Sequence, residues 1–182
     1  EFDVRIAFDA VGFVQVNSEI NRRMVHQAVE LLDPGPGDRV LDLYCGIGNF
    51  SLPIARRAAA VLGVEGEAML VEAAAANASL NGIDNAAFRR ADLSKVDGSE
   101  AWLRDGWDLL LLDPARSGAQ EIVQHIDAIG PRGIVYVSCH PGTLARDAGV
   151  LVNEKGYRCD AAGIIDMFPH TAHVESVAVF SK

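Results

Sequence analysis

Val40-Leu41-Asp42-Leu43-Tyr44-Cys45-Gly46-Ile47-Gly48-Asn49-Phe50 carries a short apolar run into a glycine-rich turn that opens a helix. The run at 40–43 reads as a buried strand, and helical spacing takes over across 50–57. Gly46 and Gly48 let the backbone pass close to a ligand where a Cβ would clash. The spacing approaches the dinucleotide fingerprint G-x-G-x-x-G, but Ser51 stands where the third glycine belongs, so a pyrophosphate fits poorly. On these residues alone, a plain tight strand–helix connection stays open.

Working outward, the alternation repeats. Residues 60–64 form a second strand, 67–81 a helix, 87–90 a weaker third strand, 109–112 a fourth and 134–137 a fifth, with helical material between them. Strands alternating with helices predict right-handed crossovers and an α/β fold with a doubly wound, mostly parallel sheet. The tail differs: strands at 157–165 and 174–180 are joined only by 166–173, too short for a parallel crossover, so they must pair antiparallel. Upstream, 3–8 alternates as a strand would, and Gly12 breaks the pattern before Phe13-Val14-Gln15-Val16-Asn17. Asn17 is a good N-cap for a helix with apolar positions at Ile20, Met24, Ala28, Val29 and Leu32. Pro34-Gly35-Pro36-Gly37-Asp38 ends it. The expectation is one domain over 1–182, with an N-terminal extension of strand and helix over 1–33 and a Rossmann-like core over 34–182.

At 182 residues and 49% hydrophobic, the chain can bury a substantial core. It contains no stretch near the ~18 consecutive apolar residues that a membrane span requires. Cys45, Cys139 and Cys159 show no C-x-x-C spacing, which argues against a disulfide framework and against a zinc or iron–sulfur site. A cytoplasmic monomer with no membrane association is expected. The net charge of −9 disfavours nucleic-acid binding through the bulk field, so an RNA substrate would need a local basic patch or further segments. The chain opens on Glu1-Phe2 rather than methionine, as a portion of a longer protein would.

Polar groups recur at the strand ends. Glu65 ends the second strand, where a carboxylate can accept both hydroxyls of a ribose. Asp92 follows the third and could accept from an adenine amino group; Asp113-Pro114-Ala115-Arg116 follows the fourth. Their convergence on one sheet edge points to an adenosyl ligand, with nicotinamide cofactors as the alternative. The fifth strand, in Ile134-Val135-Tyr136-Val137-Ser138-Cys139-His140-Pro141, delivers a thiol to that edge. Cys139 is therefore a candidate nucleophile, the alternative being a small packed cysteine. Cys45 is expected to pack within its turn and Cys159 to be structural. Arg116, Arg132 and Arg146 are candidate phosphate contacts or ordinary solvated arginines.

These blocks, with Asp166-Met167-Phe168-Pro169-His170-Thr171-Ala172-His173-Val174-Glu175-Ser176, resemble the RNA uracil-C5 methyltransferases, which form 5-methyluridine from S-adenosylmethionine. The D-P-A-R block and the tail are most similar to the bacterial branch acting on 23S ribosomal RNA. The resemblance implies the class I S-adenosylmethionine-dependent methyltransferase fold and cofactor contacts from Gln15, Tyr44, Asn49, Glu65, Asp92 and Asp113, beside the turn glycines Gly46 and Gly48. It makes Cys139 the nucleophile and Glu175 the general base. It also implies N-terminal RNA-binding and iron–sulfur domains, absent from this stretch. His140 departs from the asparagine that commonly follows the nucleophile.

The chemistry suits these residue types. A thiolate adding to carbon 6 makes carbon 5 of uracil enolate-like, and a base must then remove the carbon-5 proton. His170 and His173, with Cys139 and His140, lack familiar ligand spacing, and a metal there would consume the nucleophile, so no metal is expected. RNA cytosine-C5 methylation uses the same thiol addition but generally keeps a second cysteine after the fourth strand, where this chain has Asp113-Pro114-Ala115-Arg116. A catalytically silent cofactor- or RNA-binding module is the rival from another class.

Overall fold

A computed structural model describes residues 2–8, 18–166 and 174–182. The chain forms α1 (Ser18–Leu32), β1 (Arg39–Leu43), α2 (Ser51–Ala55), β2 (Ala60–Glu65), α3 (Ala68–Leu80) and β3 (Ala86–Arg90). Two short 3-10 turns lead to β4 (Leu109–Leu112), α4 (Gln120–Gln124), α5 (Ile126–Ile129), β5 (Gly133–Ser138), α6 (Pro141–Asn153), β6 (Arg158–Ile165) and β7 (Glu175–Ser181). The strands make one sheet in the order β3-β2-β1-β4-β5-β7-β6. β1 pairs parallel with β2 and β4, β2 with β3, and β4 with β5. β7 runs antiparallel between β5 and β6. This is the expected class I methyltransferase arrangement. The tail strands pair antiparallel as expected, and β7 alone opposes the rest of the sheet.

Alternation along the strands divides the core into two layers. Leu110, Leu112, Ile134 and Tyr136 face the layer holding Ile122, Val123, Ile126 and Leu151. Leu109, Leu111, Val135 and Val137 face the layer holding Met24, Ala28, Val29 and Ile54. All of β4 is buried on both faces, as expected of a central parallel strand. Each leucine there contributes about 1.5–3 kcal/mol by leaving water. β3 reads weakly because it is an edge strand, with Ala87, Arg89 and Arg90 exposed.

The expected N-terminal strand needs correction. Among the described residues, 4–8 pair with no strand; the side chains of Asn77 in α3 and of Asn81 at its C-cap bind their backbone instead. The alternation was a true sign of extended chain, since Phe2, Val4 and Ile6 pack against the core. The partner is a helix rather than a sheet edge. The stretch at 13–17, including Gln15 and the Asn17 cap, lies outside the described residues.

Candidate active site

The chain runs from β1 to β2 and β3 on one side, then returns to β4 and β5 on the other. Ligands bind outside the strands' carboxyl ends at such a switch point. There Tyr44 at φ 66°, Gly46 at 54° and Gly48 at 91° bend the backbone after β1. Tyr44 N and Cys45 N both donate to the Val64 carbonyl, at 2.9 and 3.2 Å, which sews the turn to β2. A Cβ on Gly46 would project into open space, so its φ is what calls for glycine. Gly63 is glycine for a different reason: a Cβ there would lie 2.8 Å from Cys45 Sγ. Cys45 therefore packs beneath the turn, and burial, then the nearby Asp42 and Glu65, push its thiol pKa up.

Glu65 is fixed from below. One carboxylate oxygen accepts from Gly46 N at 3.1 Å, the other from Gly66 N at 2.7 Å and Glu67 N at 3.3 Å. Asn49 exchanges two side-chain hydrogen bonds with Asn21 of α1, at 3.1 and 3.0 Å. Asp92 is exposed and locally engaged: it accepts from Ser94 Oγ at 2.6 Å and pairs with Lys95 at 2.7 Å. Those partners, Lys95 first, hold it down at about 2. Fully buried Ser51 donates to Asp42, so the third-glycine position is filled by an inward hydrogen bond. The other Asp42 oxygen has no partner among the described residues, and burial raises this carboxyl to about 7. The burial of Tyr44 raises its phenol likewise.

The second half of the site lies across β4, β5 and β7. Asp113 follows β4, raised to about 8 by burial, then by Glu175 and Asp42. β5 and β7 pair in a register that ends with Ser138 against Ser176, so Cys139 and Glu175 are each the next residue beyond the last pair. Glu175 is buried, which raises its carboxyl. The half-buried Cys139 thiol is raised by burial, then by Glu175 and Asp113, while Arg116 works the other way. The fold thus gathers Tyr44, the glycine turn, Asn49, Glu65, Asp92, Asp113, Cys139 and Glu175 on the carboxyl side of the sheet. Gln15, His170 and His173 lie outside the described residues.

Several expectations change. Arg132 precedes β5 and therefore sits at the opposite, amino edge, where it donates to both oxygens of Asp38 at 2.9 Å each. Arg146 is tied to Asp147 at 2.8 Å and to the Ser117 carbonyl at 2.9 Å. Cys159 lies on a strand, β6, as expected, and is exposed there. His140 caps α6, its Nδ1 accepting from Thr143 N at 3.2 Å, a task open to an asparagine as well.

Sequence reasoning missed the supports of the site. Buried Asp147 accepts from Tyr136 Oη at 2.7 Å and Ala119 N at 2.8 Å, which steadies the loop after Asp113. Its signal was an acid on the buried stripe of α6, with Leu144 and Leu151. Asn77 was another, a polar residue within an alanine-rich helix.

The sequence profile of the family described as tRNA (Uracil-5-)-methyltransferase matches residues 3–182. The chain belongs to that family. Within and near it, the chain is 57% identical over 181 residues to a 23S rRNA (uracil(1939)-C(5))-methyltransferase RlmD of Stenotrophomonas maltophilia, covering 100% of this chain and 41% of the relative. A similar protein from Alkalilimnicola ehrlichii is 58% identical over 179 residues, covering 98% of this chain and 40% of its own. The chain thus spans about two fifths of the length of these curated relatives. Among solved structures, the Pyrococcus abyssi tRNA (uracil-54, C5)-methyltransferase in complex with S-adenosyl-L-homocysteine superposes with a TM-score of 0.83 at 35% identity, covering 98% of this chain and 42% of that one.

Proposed function

We propose that this chain is the methyl-transferring part of an RNA uracil-C5 methyltransferase using S-adenosylmethionine, with 23S ribosomal RNA as substrate. In this reading 34–182 is the catalytic core and 1–33 its N-terminal extension. The observation that carries it is the register of β5 and β7, which ends at Ser138 against Ser176 with Cys139 and the buried Glu175 next in line, Glu175 and Asp113 being the acids whose charges act on the thiol. Family membership supports the reaction class, and the identity to proteins named for 23S rRNA supports the substrate.

The fit to the cofactor is tested by the turn. Gly46 leaves its outer side open, and Glu65 is already held in place by three backbone donors, so it can meet a ribose without first being ordered. Gly46, Gly48, Asn49, Glu65, Asp92 and Asp113 would hold the ligand, with Tyr44 and Gln15 beside them. When bound, S-adenosylmethionine supplies an electrophilic methyl group.

Carbon 5 of uracil is a weak nucleophile until Cys139 adds. The thiolate forms a bond to carbon 6 and drives the ring electrons toward carbon 5. After methylation Glu175 takes the carbon-5 proton; the freed pair restores the 5,6 double bond and expels the thiolate. Burial, which raises the Glu175 carboxyl, makes it a better proton acceptor once ionised. The Cys139 thiol must ionise against burial and two acidic neighbours, with Arg116 assisting. Net charge of −9 and the greater length of the relatives support RNA affinity residing largely in further segments.

The test separates the two residues. With methyl-labelled cofactor and a uridine-containing RNA, Cys139→Ala should give neither methylation nor a covalent adduct on a denaturing gel. Glu175→Gln should accumulate a labelled protein–RNA adduct, because elimination stalls. Turnover by Glu175→Gln at the wild-type rate, or an adduct with Cys139→Ala, overturns the assignment.

A further inference from the structure

Residues 2–8 lie across α3 as a strap, and the way they are held reaches the cofactor turn. Asn77 in α3 and Asn81 at its C-cap sit four residues apart, a rise of about 6 Å that matches two residues of extended chain, about 7 Å. Each amide closes a two-bond ring on the strap backbone. Arg5 N donates to Asn81 Oδ1 at 2.7 Å and Asn81 Nδ2 returns to the Arg5 carbonyl at 2.6 Å. Ala7 N donates to Asn77 Oδ1 at 2.8 Å, and Asn77 Nδ2 returns to the Ala7 carbonyl at 3.1 Å. The two asparagines imitate the edge of a strand. Arg56 adds a bond from α2 side to the Asp3 carbonyl at 3.1 Å, and Arg57 stacks 5.1 Å from the Phe2 ring.

Asn77 does one thing that Asn81 does not. The same Nδ2 that holds Ala7 also donates to the Ile47 carbonyl at 3.1 Å, between Gly46 and Gly48. Asn77 is 1% exposed, so its amide has no water to replace a lost partner. With its oxygen engaged by Ala7 N, the amide cannot flip, and its donor edge is committed to the Ala7 and Ile47 carbonyls. The strap thereby orients the group that orients the turn.

We infer that Asn77 is a positioning residue coupling the N-terminal strap to the cofactor turn, so that strap docking and adenosyl-ligand binding strengthen each other. The inference rests on the cofactor reading above. Reciprocity is obligatory: whatever the docked strap adds to ligand affinity, the ligand adds to strap docking.

The probe is S-adenosylhomocysteine, with affinity read by calorimetry on the 182-residue chain. Asn77→Ala should weaken binding by about tenfold, within the usual range of coupling. Ala7→Pro, at an exposed site away from the turn, deletes the Ala7 N–H and should weaken binding by about threefold. In wild-type protein, saturating ligand should slow hydrogen exchange at the Arg5 and Ala7 amides at least threefold, a readout that needs no variant to fold. A merely structural Asn77 would lower the melting temperature without moving the exchange of those amides. Wild-type binding with unchanged strap exchange and an unaltered Ala7→Pro affinity overturns the coupling. No ligand binding by folded wild-type protein overturns the cofactor reading instead.

Discussion

At the amino edge of the sheet Asp38 accepts two hydrogen bonds from Arg132, and that pair holds its carboxyl below the usual range. At the carboxyl edge, Asp42 is raised to about 7 and Asp113 to about 8, and the charges acting on Asp113 are Glu175 and Asp42, both negative. The same residue type sits in opposite states at the two ends of neighbouring strands. Asp108, also at the amino edge, accepts from Arg39 N at 2.8 Å, while Arg39 lies 4.8 Å from the Trp107 ring. Where a charge serves only the fold, the chain has answered it. At the ends of β1 and β4, Asp42 and Asp113 stand with raised pKa values, a state that marks functional edges more often than structural ones, while the exposed Asp92 beyond β3 is held low by Lys95.

The largest test of this contrast is the pH dependence of stability. Asp42 and Asp113 titrate at about 7 and 8 in the folded chain against an ordinary 3.8, so the folded state keeps protons that the unfolded state has lost. Stability should therefore fall from about pH 4 upward on their account, by at most about 1.4 kcal/mol per unit for each group. Asp38 has the opposite sign: its stabilisation is present above pH 3.8 and is lost as pH falls through its lowered folded value. Asp113→Asn should raise the melting temperature over wild type at pH 8 and leave little difference at pH 4.5. An equal gap at both pH values would break the comparison.

A second, smaller effect concerns the thiol. Glu175 is the largest charge raising Cys139, so Glu175→Gln should lower the thiol pKa and speed its alkylation at pH 7.5 by about tenfold. Exposed Cys159 lies on β6 opposite Phe180, near the other edge, and serves as the internal reference in the same mass spectrum. An unchanged Cys139 to Cys159 ratio would mean that Glu175 does not act on the nucleophile.

The smallest effect belongs to the amino edge. Arg132→Ala should cost only about 0.5–1 kcal/mol, because Arg132 is half exposed in its pair with Asp38, and should leave Cys139 alkylation at the wild-type rate. A change in that rate would show that the two edges are not electrically separate.

The site was legible to unequal degrees. Cys139, Glu65 and Asp113 could be placed because a residue at a strand's end or just beyond it needs only the strand to be recognised. Strap residues 4–8 were legible as extended chain but not as bound to α3, since alternation is the same whichever partner takes the backbone. Arg132 looked like a neighbour of the site because it adjoins the strand that bears Cys139, yet it enters that strand rather than leaving it. Asp147 and Asn77 went unread because a buried polar residue announces itself only through partners far along the chain.

The sequence by itself determined the succession of strands and helices, through apolar runs of strand length between glycine turns and helical stripes. It also determined which polar groups reach the functional edge, because parallel strands all end on one side. Only the tertiary structure decided which of those groups are free for chemistry and which already have partners. Asn49 is bound by Asn21 and Asp92 by Lys95, whereas Cys139 and Glu175 each come one residue beyond the Ser138–Ser176 pair that ends the register of β5 and β7. Long-range pairings such as Arg132 with Asp38 join residues distant in sequence, and only packing of the finished sheet brings their atoms within hydrogen-bond reach.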